Sequence, residues 1–192
     1  MRKTACFVVL LLCYATLLFA QAHSSGMSSE ESTSISKALD RGLSSVEEEF
    51  VGAAEAMPEE KYHFAPTNGE FKGVRDFATQ VKHVAAVNNL VSSSMLGEKL
   101  PADSGRENGP DKIKTKNDIF KYLRDSFARA HRAIAAVNKE NAVTPIKDPF
   151  GDSEPATRLG LSTLMISHCF DHYGQMVEYL RMNGIIPPAS RR

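Results

Sequence analysis

The sequence predicts an all-α fold, a four-helix bundle that follows an N-terminal signal peptide. Three observations carry that expectation. Four long segments repeat their apolar residues at helical spacing. No segment alternates apolar and polar residues over the length of a strand, and stretches rich in Gly and Pro separate the helical patterns.

The chain opens on Arg2 and Lys3, followed by an almost unbroken apolar run from Ala5 to Phe19. Ala20-Gln21-Ala22 then supplies the small residues that a signal peptidase reads, so residues 1–22 are expected to be removed. The run is about 15 residues, short of the roughly 20 needed to span a bilayer as a helix. The expected product is exported, periplasmic or secreted, with no stable membrane anchor after cleavage. Residues 23–33 read as a Ser-rich flexible lead and residues 34–192 as the helical domain.

Removing 22 of the 192 residues leaves 170, enough for a single domain to bury roughly 70% of its unfolded surface. The 23 basic residues less Arg2 and Lys3 leave 21 against 23 acidic, a net of −2. That balance argues against a nucleic-acid partner, which would favour a basic face. Cys6 and Cys13 leave with the signal peptide, so Cys169 alone remains and an apolar core must hold the fold.

The first helix is expected from about Ser34 to Met57, with Leu39, Leu43, Val46, Phe50, Val51 and Ala54 on one face and Pro58 as its stop. The second runs from about Val74 to Leu96. Phe77, Val81, Val84, Asn88, Val91 and Met95 trace its main stripe, and Gln80, His83, Val87 and Leu90 run beside it. After a loop from Gly97 to Pro110, the third helix opens at Thr115, with Asp118 three residues on as a capping-box variant. Ile119, Leu123, Phe127, Ala130, Ile134 and Val137 form its apolar face. A second loop, Asn141 to Pro155, leads to a fourth helix from about Ala156 to Asn183, with Gly184 at the position after the C-cap. Ile185-Ile186-Pro187-Pro188 follows as an apolar tail able to pack back on the bundle.

Chemistry concentrates in the fourth helix. His168 and His172 are four apart, one above the other on a helix face, and both lie in the apolar stripe with Leu161, Met165, Met176 and Tyr179. Each buried imidazole needs partners for two ring nitrogens. A metal ion would satisfy one nitrogen of each ring; ordinary acceptors in a core or cleft are the alternative. His83 on the second helix could meet the pair inside the bundle, where metal sites are assembled from inward side chains of different helices. Three neutral imidazoles with an open position suit zinc or nickel. The pattern is not a His-Glu-x-x-His motif, because Cys169 follows His168. Asp171 reads as a solvent-facing residue, with a supporting acceptor or a base as the alternatives, and Asn88 and Gln175 are candidates to line a pocket or routine polar residues at a stripe edge. His131 borders the apolar face of the third helix and reads as peripheral, and neither His63 nor His23 has a helical partner. Cys169 reads as a small buried hydrophobe.

Met57-Pro58-Glu59-Glu60-Lys61-Tyr62, His83 in its amphipathic helix, His168-x-x-Asp171-His172-Tyr173-Gly174-Gln175 and Tyr179-Leu180-Arg181-Met182-Asn183-Gly184-Ile185-Ile186-Pro187-Pro188 together resemble the DinB-like (YfiT-like) superfamily. The resemblance spans about Ser34 to Ser190. It implies a four-helix bundle of unusual chain order and a divalent metal held by His83, His168 and His172; the sequence offers Asp171 and Gln175 as candidate supporting residues. It further implies a metal-dependent transferase, often a thiol-S-transferase, or a hydrolase acting on a small molecule, and a tendency to form homodimers. A reading of a different class is a non-catalytic envelope bundle that binds a small molecule or a protein partner.

Overall fold

The computed structural model describes residues 33–102, 104–105, 107–151 and 154–191. The expected signal peptide and all of the flexible lead except Thr33 lie outside the described residues.

Each of the four helices begins where a short polar side chain takes up a free N–H of the first turn. Helix α1 spans Ile35–Ala56, and the Ser34 hydroxyl accepts from the Lys37 N–H at 3.2 Å. Met57, which precedes Pro58, is extended, as a residue before proline prefers to be. Lys116 donates to the carbonyls of Glu55 and Met57 and so satisfies acceptors at that end. Helix α2 spans Phe77–Leu96. It starts later than Val74, where the sequence pattern begins, because the Asp76 carboxylate accepts the Thr79 N–H at 2.7 Å and fixes the boundary.

Helix α3 spans Lys116–Ala135, capped by Thr115. The Thr115 hydroxyl accepts the Asp118 N–H at 3.2 Å and donates to the Asp118 carboxylate at 2.8 Å. Helix α4 spans Arg158–Met182. Ala156–Thr157, expected inside that helix, instead forms a strand, β2, paired antiparallel with β1, Pro145–Ile146. Thr157 is thereby left to cap α4 through the Gly160 N–H. A two-residue strand is too short for alternation to reveal. At the far end Gly184 adopts φ +73°, the Gly184 N–H reaches the Arg181 carbonyl and the Ile185 N–H the Leu180 carbonyl. This is a complete Schellman stop.

Helices α1 and α2 each pack against both α3 and α4, so α1–α2 and α3–α4 are the diagonal pairs. Segments 57–76 and 136–157 therefore cross the ends of the bundle, whereas 97–115 joins neighbours. The core fills from all four helices with Leu43, Phe50, Val84, Phe127, Met165 and Met176, each fully buried. The Phe50 and Phe127 rings meet at 6.3 Å. Pro187 is buried and Pro188 lies against Gly52 of α1, while Ile186 stays exposed, so the tail docks through its prolines. Among the described residues, no helix is long and apolar enough to cross a membrane.

Candidate metal centre

Because α2 and α4 are neighbours, His83 of α2 meets His168 and His172 of α4. The three ring centroids are 4.5 to 5.0 Å apart. One potential ligand nitrogen from each ring lies within 4.8 Å of the other two. His83 and His172 are buried and His168 is half-buried.

Hydrogen bonds aim two of the rings. The Nδ1–H of His83 donates to the backbone carbonyl of Glu107 at 2.6 Å. A carbonyl only accepts, so Nδ1 carries the proton and Nε2 is left as a bare lone pair. The ring of His172 is set by a longer chain that reads backwards from Asp171. The Asp171 carboxylate accepts from Gln175 Nε2 at 3.0 Å, so Gln175 presents Oε1 to Gln80 Nε2 at 2.8 Å. Gln80 must then turn its Oε1 to His172 Nδ1, at 2.6 Å. His172 is consequently also protonated at Nδ1, with Nε2 free. Gln80 itself is fully enclosed, with 1% of its surface exposed.

His168 has no such support. Its Nδ1 is buried without a hydrogen-bond partner among the described residues, and its Nε2 lies 3.1 Å from His83 Nε2. Two nitrogens bound to one tetrahedral ion at 2.0–2.1 Å sit roughly 3.3 Å apart. Facing lone pairs at this spacing need a proton or a cation between them, so the donor set fits a divalent metal ion.

Electrostatics keeps the rings neutral, the form that binds metal. Burial, then the neighbouring imidazoles, pushes His168 down to about 3. Burial, His83 and Arg75 push His172 down to about 4. His83 is lowered as well, by burial, against the opposing bond to Glu107.

The loop between α2 and α3 delivers the Glu107 carbonyl. It lies directly on α2: a Cβ at Gly109 would come within 2.8 Å of Lys82 Cβ, and one at Gly105 would clash with the Gly109 carbonyl carbon. Both glycines also adopt positive φ. Arg75 pairs with the Glu107 carboxylate and donates to Asn108 at 2.7 Å, which pins the same loop to the start of α2.

A cavity of about 630 Å³ opens beside the cluster and reaches His83 and His168. Neither Asn88 nor Gln175 lines it. Asn88 faces the core and accepts from the Cys169 thiol at 3.5 Å, and Gln175 belongs to the His172 chain. Cys169 is buried, and burial pushes its thiol up to about 12. His63 bonds Asp76 near the surface, and His131 bridges Asp40 and Glu47 at 2.6 and 2.8 Å. His23 lies outside the described residues.

Fold and site define a class: a four-helix bundle carrying a three-histidine cluster that could hold a metal ion. The chain belongs to the DinB superfamily, whose profile matches residues 43–176. It is similar in structure to a DinB-like protein from Bacillus cereus, at TM-score 0.63 and 16% identity, covering 78% of this chain and 93% of that one. A conserved protein from Enterococcus faecalis gives 0.62 at 16% identity, over 79% and 98% of the two chains. A DinB-like protein from Bacillus subtilis gives 0.58 at 18% identity, over 80% and 98%. At these identities the likeness concerns the fold. No curated protein matches the chain.

Proposed function

We propose that this chain is an exported metal-dependent enzyme, a transferase or hydrolase acting on a small molecule, with zinc or nickel held by His83, His168 and His172. The observation that carries the reading is the pair of supported Nδ1–H groups, which leave the Nε2 lone pairs of His83 and His172 beside His168 at the edge of an open cavity. A structural site would be closed by a fourth protein ligand; among the described residues the cluster offers three. When bound, a divalent ion supplies Lewis acidity and a nucleophile at neutral pH.

The chain's own residues prepare that chemistry. Gln80 and the Glu107 carbonyl hold two rings in one tautomer and one orientation. Gln175 and Asp171 fix the direction of Gln80. The apolar walls of the cavity limit water around the reacting groups. The leader sequence motivates the expectation of export.

The test compares zinc- or nickel-loaded protein, metal-free protein and a His168→Ala/His172→Ala variant against a panel of thiols, electrophiles and esters. The proposal expects turnover that follows metal occupancy and disappears in the variant. Fully loaded protein without turnover of any member would favour the non-catalytic reading.

A further inference from the structure

The cavity beside the histidines has a chemical character of its own. Its α2 wall is formed by Ala86, Val87 and Leu90, which continue the face of His83 at helical spacing. Leu164, one turn before His168 on α4, forms the opposite wall, and Leu100 and Phe150 come from the two long loops. Leu100, Phe150 and Leu164 are 40%, 48% and 39% exposed. Large apolar side chains left this open around one concavity mark a binding surface.

The polar groups are as informative. Among the described residues lining the cavity, none is Lys or Arg, and the sole carboxylate, that of Glu107, is paired with Arg75. Apart from an ion held by the histidines, the described walls offer an anionic group no cation, so a charge carried along them meets a heavy desolvation cost. The imidazoles of His83 and His168 are the polar feature of the floor. About 630 Å³ lies within the usual range for sites that take a small molecule.

From this juxtaposition we infer that the cavity selects an uncharged alkyl or aryl compound bearing a single terminal donor, its apolar body against Leu90, Leu100, Phe150 and Leu164 and its donor at the histidines. The inference rests on the metal-centre reading for the donor end alone; the apolar selectivity belongs to the walls.

Two series of ligands separate these claims. Alkyl hydroxamates of increasing chain length are titrated calorimetrically into zinc-loaded protein, and alkan-1-ols into metal-free protein. Each added methylene that enters the cavity should tighten binding about fourfold, in both series, until the cavity is full. A terminal carboxylate on the longest chain should weaken binding at least about tenfold through its desolvation. Leu164→Asp and Phe150→Asp, both at exposed positions, should flatten the gradient and leave zinc stoichiometry at the wild-type value.

A flat gradient in wild-type protein overturns the inference, as do equal gradients in wild type and both variants. If zinc is not taken up, the metal-centre reading fails, and the alkanol series still decides whether the walls select apolar chains.

Discussion

Replacing Gln80 by Leu isolates the contribution of a residue that touches no metal. Leu fills a similar volume, so little cavity is created, but the acceptor for the His172 Nδ1–H disappears. That N–H bond measures 2.6 Å, and Gln80 is 1% exposed, so no water replaces the lost carbonyl. An unpaired buried donor costs about 1–3 kcal/mol, and the melting temperature of metal-free protein should fall accordingly. The ring also loses its fixed tautomer, and removing such a partner weakens metal binding by roughly 10- to 100-fold, or about 1.4–2.8 kcal/mol. Zinc affinity is read by competition with a chromophoric chelator. Gln80→Glu keeps an acceptor toward His172 and raises ring basicity, so its zinc affinity should equal or exceed wild type. An unchanged dissociation constant in Gln80→Leu would refute the idea that this carbonyl aims the ring.

Four further outcomes are expected. Gly109→Ala forces a side chain to within 2.8 Å of Lys82 Cβ at a φ of +73°. It should lower the melting temperature and weaken zinc binding together, because the Glu107 carbonyl moves with the loop. In metal-free protein, His168 and His172 are held near 3 and 4 in the fold against about 6.5 when unfolded. The unfolded chain takes up protons first, so stability should fall as pH drops from about 6.5 toward 4. His131 behaves oppositely: burial opposes its charge, but the bonds to Asp40 and Glu47 outweigh that and raise it. Its contribution is complete below about 6.5 and lost as pH rises through the raised value, so the melting-temperature gap between wild type and His131→Gln should be larger at pH 5.5 than at pH 9. Finally, Cys169, buried with a thiol pushed up to about 12, should resist labelling in the folded protein, and Cys169→Ala should keep full zinc stoichiometry.

The helical stripes were legible because burial follows periodicity directly. All six residues of the α2 stripe, Phe77 through Met95, and all six of the α3 face, Ile119 through Val137, are buried. His83, His168 and His172 could be linked because each borders such a stripe at mid-helix. What surrounds them was harder to read. The Glu107 carbonyl is backbone, so its side-chain type carries no signal. Its position depends on Gly105 and Gly109, whose spacing resembles that of any loop. Gln80 precedes His83 by three residues on the same face and was visible as a polar interruption, but its partner lies on another helix. Asp171 is exposed, as its helical position suggested, yet it orients Gln80 through Gln175. The start of α2 and the short β1–β2 ladder escaped because a single cap and a two-residue pairing leave no periodic trace.

Everything proposed for the site requires that three imidazoles of this chain bind one metal ion. X-ray absorption at the zinc edge of zinc-loaded protein tests it most directly. The expected result is one zinc per chain with three imidazole nitrogens at about 2.0–2.1 Å, and loss of that signature in the His168→Ala/His172→Ala variant. Equal zinc content and the same coordination spectrum in wild type and variant would contradict it.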